Sequence, residues 1–266
     1  MDIKEYVAYR KEELRKEIAM MDRPPKLVII KANDNPASAS YVRGKLKDAD
    51  EVGIDAELIE LDPSISQKEL DKKIEEINND KDVDGFIVQL PLPNQIDEEK
   101  VKLEVIPEKD VDGFHPCTKF LPCTPKGIVD YLRHEGFDFK GKNALIIGRS
   151  NIVGKPMARI LLEKGCDANV TVIHSRTSEE DKAFYIAHAD LIIAAVGKIG
   201  VLDGHYAYKK DAVIVDVGIN RGEDGKLHGD AMPSLPVKLQ TPVPGGVGLL
   251  TRISLMENLV EAKKRK

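Results

Sequence analysis

Residues 143–156 read NALIIGRSNIVGKP, and this stretch decides the class of fold. A short, mainly apolar segment comes first and predicts a strand, and a helix should follow because Pro156 suits a first helical turn. Between the two, Gly148 permits a tight turn and Gly154 lets the helix approach the strand closely. The loop departs from the pattern G-x-G-x-x-G because Ser150 stands in place of the second glycine. A phosphate-binding loop and an ordinary strand-to-helix turn therefore both remain open at this point.

Short apolar segments alternate with amphipathic ones along most of the chain. Strands and helices that alternate at this spacing imply βαβ units and parallel sheets, so we predict an α/β fold. Prolines interrupt the pattern from Pro107 to Pro125, and we place the boundary between two α/β domains there. The predicted strands cover residues 27–30, 57–61, 85–89, 143–147, 169–174, 191–196 and 212–217. The predicted helices cover residues 3–21, 36–52, 67–78, 125–132, 155–164 and 251–263.

The composition excludes several classes of protein. The chain has 266 residues, of which 42% are apolar, so it can bury a core and cannot be wholly disordered. A formal net charge of −5, 5% aromatic residues and no tryptophan argue against nucleic acid as a partner. No apolar run is long enough to cross a membrane, and three cysteines are too few to staple a secreted fold. We therefore expect a soluble, cytoplasmic protein. His115, Cys117 and Cys123 lie close together without zinc-finger spacing, and we predict no metal site.

The strand after the glycine-containing loop indicates which nucleotide could bind. Sites that prefer NAD usually carry an acid at the end of the second strand, where it bonds the ribose hydroxyls. Here that strand ends in Ser175-Arg176-Thr177, and a hydroxyl and a guanidinium suit the 2′-phosphate of NADP instead. Arg149 can approach the same phosphate from the first loop. Arg176 as a plain surface residue is the alternative, and we favour NADP because position and charge agree.

Glycines also follow the next two predicted strands. Gly197 comes after residues 191–196, and Gly218 comes after residues 212–217. Each would let the backbone approach a cofactor, and each could equally be a simple turn residue. A third loop, TPVPGGVG at residues 241–248, could present rigid backbone to a flat ligand or simply link two elements.

In the first half of the chain, polar residues stand where a ligand could bind. On the second predicted helix, Ser38, Tyr41 and Lys45 form one stripe beside the apolar face. A lysine at such a margin is usually a solvated surface residue, and spacing alone favours that interpretation. Gln89 closes an apolar strand at its carboxyl end, where binding residues commonly lie. Asp112 lies in the proline-rich segment, where a site residue and a plain turn residue are equally good interpretations.

Eight segments of the chain match one family, in the order in which that family carries them. They are PASASYVRGKLK (36–47), DGFIVQLPLP (84–93), KDVDGFH (109–115), PCTPKGI (122–128), GRSNIVGKPMA (148–158), TVIHSRT (171–177), VDVGIN (215–220) and TPVPGGVG (241–248). Together they resemble the bifunctional methylenetetrahydrofolate dehydrogenase/methenyltetrahydrofolate cyclohydrolase family. Because the joint match is far more specific than any single loop, it overturns the interpretation of Lys45 as a surface residue.

The resemblance implies a fold and an activity. The fold is a pair of parallel-sheet α/β domains flanking a cleft, the second of them a Rossmann-type NADP-binding domain, commonly in a homodimer. A folate-binding catalytic domain would cover residues 1–120 with the C-terminal helix at 250–266, and the NADP-binding domain would cover 121–249. The expected reactions are oxidation of 5,10-methylenetetrahydrofolate by NADP to the methenyl cation, and hydrolysis of that cation to 10-formyltetrahydrofolate. Partial burial and the cationic substrate would keep Lys45 neutral so that it can activate water.

The resemblance also assigns individual residues. Lys45, Gln89 and Tyr41 are expected to be catalytic. The expected substrate-binding residues are Tyr41, Gln89, Leu90, Pro91, Asp112, Pro244, Gly245, Gly246 and Val247. The expected cofactor-binding residues are Gly148, Arg149, Ser150, Ile152, Val153, Gly154, His174, Ser175, Arg176, Thr177, Val196, Gly197, Gly218, Ile219 and Asn220. Four positions depart from the residues that family members usually carry, which affects the shape of the pockets: Ile199, Ala231, Leu249 and Leu250.

Two other functions compete with this one. Another Rossmann oxidoreductase, acting on an amino or hydroxy acid, would not need the pair formed by Lys45 and Gln89. A nucleotide-sensing module without catalysis would bind NADP and not turn it over. An assay with folate substrates separates the three.

Overall fold

The computed structural model describes residues 2–266, which form two compact units. The three-stranded unit contains Val7–Cys123 and Arg252–Lys266. The five-stranded unit contains the N-terminal residues up to Tyr6 and Thr124–Thr251. The helices are α1 (Ile3–Ile18), α2 (Pro36–Val52), α3 (Gln67–Asn79), α4 (Glu98–Glu104), α5 (Cys123–His134), α6 (Gly154–Leu162), α7 (Glu179–His188) and α8 (Val247–Lys264). The strands are β1 (Lys26–Lys31), β2 (Asp55–Glu60), β3 (Gly85–Gln89), β4 (Asn143–Ile147), β5 (Asn169–Ile173), β6 (Leu191–Ala194), β7 (Val213–Asp216), β8 (Asn220–Arg221), β9 (Leu227–His228) and β10 (Leu239–Gln240).

The sheet of the three-stranded unit is parallel, with the strand order β2-β1-β3. The central strand β1 is buried along its middle because its sequence, KLVIIK, is apolar on both faces. Its last residue, Lys31, is paired with Gln89 at the end of β3. Gln89 therefore lies at the carboxyl edge of this sheet, where ligand sites of parallel sheets are found.

Helix α2 begins and ends where its flanking residues predict. The Asn35 side chain accepts the backbone N–H groups of Ala37 and Ser38, and Gly53 adopts a left-handed conformation that ends the helix. Val42 and Lys45 are both buried, so the inward face of this helix carries a lysine among apolar residues. This arrangement places the Lys45 amine within the three-stranded unit.

The sheet of the five-stranded unit has the order β10-β7-β6-β4-β5, and each neighbouring pair of strands is parallel. Since all carboxyl ends then face one edge, the loops after β4, β5, β6 and β7 are neighbours. We call this edge, with residues 148–154, 174–177, 196–198 and 217–220, the nucleotide edge. The strands β8 and β9 form a separate antiparallel pair.

The predicted fold class is confirmed, and so are the bounds of α2 and β3. Two predicted strands were too long, because β6 ends at Ala194 and β7 at Asp216. Two residues beyond each end, the backbone N–H bonds a carboxylate instead of a neighbouring strand: Val196 bonds Asp230, and Gly218 bonds Asp216. The last helix was predicted to begin at Thr251 and begins at Val247, since the Leu249 N–H bonds the Gly246 carbonyl. Helices α4 and α7 were not predicted. None of the helices within residues 2–266 is long and apolar enough to cross a membrane.

Candidate functional site

Lys45 is the centre of the first half of the site. Its side chain is only 4% exposed, and its amine donates a hydrogen bond of 3.0 Å to Gln89 Oε1. The Gln89 Nε2 atom in turn donates to the Leu90 carbonyl at 2.8 Å, which fixes the amide with its oxygen towards the lysine. The Tyr41 ring lies 5.2 Å from the Lys45 amine. The prediction that Lys45 lies at the margin of the buried helix face was wrong, because the residue is buried. We call Tyr41, Lys45, Gln89 and Asp112 the Lys45 site.

Burial lowers the pKa of Lys45, because an ammonium loses its hydration inside the protein. The neighbouring Arg252 lowers this pKa further, whereas Asp112 and Cys123 raise it. The hydrogen-bond partner Gln89 is neutral and adds no negative charge that would restore the ordinary value. The site therefore holds an amine that can be neutral at a lower pH than a lysine in water.

The loop that carries Asp112 is held by its neighbours in sequence. The carboxylate of Asp110 accepts the backbone N–H groups of Gly113 at 3.2 Å and of His115 at 2.8 Å. Burial raises the pKa of Asp110 to about 6. The Lys109 amine donates to the carbonyl of Ile77 at 2.8 Å, and so helps to cap the end of α3. Asp112 thus projects from a rigid turn.

The sequence did not predict the burial of two polar side chains on α2, those of Ser38 and Asp48. The Ser38 hydroxyl is buried on the Lys45 stripe and has no hydrogen-bond partner within residues 2–266. Asp48, one helical turn after Lys45, is also buried and binds Arg252 Nε at 3.0 Å and Lys11 Nζ at 2.5 Å. An aspartate on the inward face of an amphipathic helix is the signal that could have revealed this cluster.

The loop between β4 and α6 explains the serine in place of a second glycine. The Ser150 hydroxyl accepts the N–H groups of Val153 at 3.1 Å and Gly154 at 3.4 Å, and so closes the start of the helix. Gly148 has a φ of 117°, and a side-chain carbon at Gly154 would overlap the Gly148 carbonyl. Arg149 is exposed beside this turn. The two glycines thus let the turn, the start of α6 and the end of β6 pack closely. The N-terminus of α6 at this turn is the kind of position where a phosphate can bind.

After β5, a tight turn presents the predicted phosphate-reading residues. The His174 N–H donates to the Thr177 hydroxyl at 3.1 Å, and the Arg176 N–H donates to His174 Nδ1 at 3.2 Å. These two hydrogen bonds hold the backbone of the turn. The side chains of Ser175 and Arg176 are exposed at the nucleotide edge. Residues 174–177 contain no acidic side chain that would repel a phosphate, and this turn is therefore compatible with the 2′-phosphate of NADP.

Beyond β7, a small cavity brings predicted substrate and cofactor residues together. Gly218 and Ile219, expected at the cofactor, line it with the loop of residues 242–248. That loop contains the four residues expected at the substrate, namely Pro244, Gly245, Gly246 and Val247. Val247 is the first residue of α8 rather than a loop residue. The peptide bonds Leu90–Pro91 and Val243–Pro244 are both cis.

Four of the other predicted positions lie at the ends of strands and in the loop before α6. Pro91 lies just beyond β3, and its carbonyl accepts a hydrogen bond of 2.9 Å from the Asn33 side chain. The Asn220 side chain bonds Asp230, and Val196 is 42% exposed at the end of β6. Ile152 is partly buried in the loop before α6. Within residues 2–266, no group of three potential metal ligands is found.

Comparison with known proteins identifies the family. Residues 1–112 match the family described as tetrahydrofolate dehydrogenase/cyclohydrolase, catalytic domain. Residues 122–266 match tetrahydrofolate dehydrogenase/cyclohydrolase, NAD(P)-binding domain. The chain belongs to the tetrahydrofolate dehydrogenase/cyclohydrolase family.

Individual relatives of this family agree in sequence and in structure. The bifunctional protein FolD of Oceanobacillus iheyensis is 47% identical over 252 residues, which cover 90% of this chain and 87% of the relative. The FolD methylenetetrahydrofolate dehydrogenase/cyclohydrolase of Campylobacter jejuni superposes with a TM-score of 0.93 at 41% identity, covering 98% of this chain and 97% of that one. The Trypanosoma brucei enzyme, solved with NADP cofactor and inhibitor, gives a TM-score of 0.93 at 30% identity, covering 100% and 97%. The predicted family, fold class and enzyme class are thereby confirmed.

Proposed function

We propose that this tetrahydrofolate dehydrogenase/cyclohydrolase oxidises 5,10-methylenetetrahydrofolate with NADP and hydrolyses the methenyl product to 10-formyltetrahydrofolate. The observation that carries the proposal is the buried Lys45 amine, bonded at 3.0 Å to an amide oxygen rather than to a carboxylate. A lysine that pairs with a carboxylate would stay charged, whereas this one has a lowered pKa. It can therefore accept a proton.

The hydrolysis uses this property. The methenyl carbon is bonded to two nitrogens and carries positive charge, so water adds to it while a base removes one proton. Neutral Lys45 takes that proton and leaves a neutral hydroxyl adduct. The carbon–nitrogen bond to one ring nitrogen then breaks, the protonated Lys45 gives its proton to that nitrogen, and the amine takes the proton of the hydroxyl as the formyl C=O forms. Lys45 finally releases this one proton to water. The Gln89 oxygen holds the amine in place in both of its protonation states. Since only neutral Lys45 acts as the base, cyclohydrolase activity should rise with pH through the lowered pKa.

The residues of the nucleotide edge fit NADP. The N-terminus of α6 can bind a phosphate of the cofactor, and exposed Ser175 and Arg176 can bind the 2′-phosphate. When bound, NADP supplies the acceptor for the hydride of the methylene carbon. The chain contributes alignment, because Gly218 and Ile219 line the same cavity as the predicted substrate loop.

Asp112 and Tyr41 complete the proposed folate site. The Asp112 carboxylate can accept two hydrogen bonds from the amino-pyrimidinone edge of the pterin, and the Tyr41 ring can pack on the pterin face. The rigid turn that Asp110 holds supports this role for Asp112.

The remaining assignments are also part of the proposal. We assign the folate-binding catalytic domain to residues 1–120 with 250–266, and the NADP-binding domain to residues 121–249. The resemblance to the family further supports a cytoplasmic homodimer. Light scattering would measure the mass of this assembly.

One experiment tests the proposed function. The purified chain is given 5,10-methylenetetrahydrofolate with NADP or with NAD, and formation of reduced nicotinamide and of 10-formyltetrahydrofolate is followed. We expect both products, and a faster reaction with NADP. Binding of NADP without turnover would instead identify a nucleotide-sensing module. Turnover of amino or hydroxy acids alone would identify another oxidoreductase.

A further inference from the structure

Asp230 is a fully buried carboxylate that the proposed mechanism does not use. Its two oxygens accept four N–H groups. Oδ2 accepts from the backbone of Val196 at 2.6 Å and Gly197 at 3.0 Å. Oδ1 accepts from the backbone of Lys198 at 2.9 Å and from Asn220 Nδ2 at 3.0 Å. All four partners are N–H donors, so both oxygens of Asp230 act as acceptors.

A second aspartate holds the chain that carries Asp230. The carboxylate of Asp216, at the end of β7, accepts the backbone N–H of Asp230 at 2.9 Å and of Ala231 at 2.8 Å. A side-chain carbon at Gly218 would overlap Asp230 Oδ1, so the chain leaving β7 needs glycine to pass the carboxylate. The loops after β6 and β7 are thus fastened to one buried anion.

Three successive N–H groups directed at one point are the usual backbone arrangement for binding an anion. At residues 196–198 that anion is already supplied by Asp230. With these N–H groups bonded to Asp230, the backbone of residues 196–198 offers carbonyl oxygens to a ligand. The loops after β6 and β7 also carry the exposed apolar side chains of Val196 and Ile219. Such a surface suits a flat carboxamide-bearing ring, and the buried carboxylate behind it disfavours a phosphate.

We propose that Asp230 is a positioning residue that directs the nicotinamide half of the cofactor to the loops after β6 and β7. This inference rests on the proposed use of a nicotinamide cofactor. The phosphates would bind at the loop between β4 and α6. There the N–H groups of Val153 and Gly154 bond the neutral Ser150 hydroxyl rather than a carboxylate. Asp230 thereby determines the orientation in which the cofactor binds.

The test is Asp230→Asn in the full chain. The amide keeps the size of the side chain, but its NH2 group faces two N–H donors, so the loop after β6 shifts. We expect dehydrogenase kcat/KM for NADP to fall about 10–100-fold, the usual effect of misplacing a reacting group. Cyclohydrolase activity should stay within about twofold of the parent, because it depends on Lys45.

A nucleotide fragment separates positioning from a structural role. Adenosine 2′,5′-bisphosphate carries the adenine half and lacks nicotinamide, and its affinity for Asp230→Asn should match the parent in calorimetry. The ratio of NADP to NAD activity should also be unchanged, since Arg176 is untouched. Loss of fragment binding together with activity would show a merely structural role and overturn the proposal.

Milder and matched variants guard against misfolding. Asn220→Ala removes one of the four donors and should lower dehydrogenase kcat/KM about three- to tenfold in the same pattern, the worth of about one hydrogen bond. Asp203→Asn removes a carboxylate that accepts the His205 N–H at 2.9 Å elsewhere in the five-stranded unit, and should change neither activity. The role of Asp230 would be refuted if the parent oxidises its substrate with NADP and both Asp230→Asn and Asn220→Ala have the dehydrogenase activity of the parent. A parent without NADP turnover would refute the proposed function itself.

Discussion

The Lys45 site and the nucleotide edge differ in how far their polar side chains are buried. At the Lys45 site, folding buries an ionisable side chain at 4% exposure, and the Gln89 amide oxygen accepts a hydrogen bond from its amine. At the nucleotide edge, Arg149, Ser175 and Arg176 are exposed, and the backbone of glycine-containing turns forms the rest. In the proposed function, the first region has its base in place before a ligand binds, whereas the second presents exposed groups to the ligand.

The difference follows from what each region has to do. A base must be desolvated before the substrate arrives, because its pKa depends on the surrounding protein. A phosphate site gains from exposed cations and N–H groups, because the ligand brings its own charge. Substitutions should therefore alter chemistry in the first region and affinity in the second.

The largest effect is expected at Lys45. Lys45→Met keeps much of the apolar stem and removes the amine, so α2 should still pack. We expect cyclohydrolase activity to fall by about 10²–10⁴-fold, the usual loss of general acid–base catalysis. Dehydrogenase activity should fall less, and the methenyl product should accumulate in a spectrophotometric assay.

Lys47→Met is the matched control, because Lys47 lies on the same helix with a side chain 75% exposed. It should leave both activities unchanged. If Lys45→Met hydrolysed the methenyl substrate at the parent rate, the Lys45 site would be a binding region like the other, and the comparison would fail.

Asp112→Ala should produce the next largest effect, and it acts on both activities. Loss of two charge-assisted hydrogen bonds to the pterin should raise the KM for folate about 100-fold. Binding of NADP, measured by calorimetry, should remain as in the parent. The exposed Glu108 in the same segment gives the control Glu108→Ala. Normal folate affinity in Asp112→Ala would contradict the assignment.

Arg176→Ala tests the nucleotide edge. Without the guanidinium, NADP should bind about tenfold more weakly, since an exposed charge-assisted contact is lost. NAD lacks the 2′-phosphate, so its KM should stay the same. Arg159→Ala, on the exposed side of α6, serves as the control. An equal loss for both nucleotides would mean that Arg176 does not read the phosphate.

The smallest effect concerns the pH dependence of stability. Burial raises the pKa of Asp110 to about 6 in the folded chain, above its ordinary value of 3.8, so the folded state binds this proton more tightly. Asp110 therefore adds about 1 kcal/mol to the free energy of unfolding as pH falls from about 7 to 5. In Asp110→Asn that increment should disappear from urea titrations at the two pH values. An identical pH dependence in parent and variant would place the Asp110 carboxyl in contact with water.

Much of the fold was predictable because local patterns determine it. Strand β1 needs only its apolar run, and α2 needs only Asn35, Pro36 and Gly53 at its ends. The nucleotide loop could likewise be located from Gly148 and its neighbours, since one strand and one helix enclose it.

The environment of side chains was not predictable in this way. Lys45 appeared to lie at a helix margin because its spacing along α2 cannot report Arg252, which is more than 200 positions away in the chain. The role of Asp230 depends on N–H groups of residues 196–198, and no periodicity links them. Only the family resemblance could assign function to Lys45 before the structure.

The division of the chain into units has a consequence during synthesis. Helix α8 supplies Asn258, whose side chain bonds the Val111 carbonyl at 2.9 Å, and Leu259, which is buried in the three-stranded unit. A ribosome reaches these residues only after making all of Thr124–Thr251, at about 5–20 residues per second. For a time of order ten seconds, the nascent β1–β3 sheet lacks its closing helix and exposes apolar surface. Chaperones that bind nascent chains should therefore engage this protein from the first half of its translation onward.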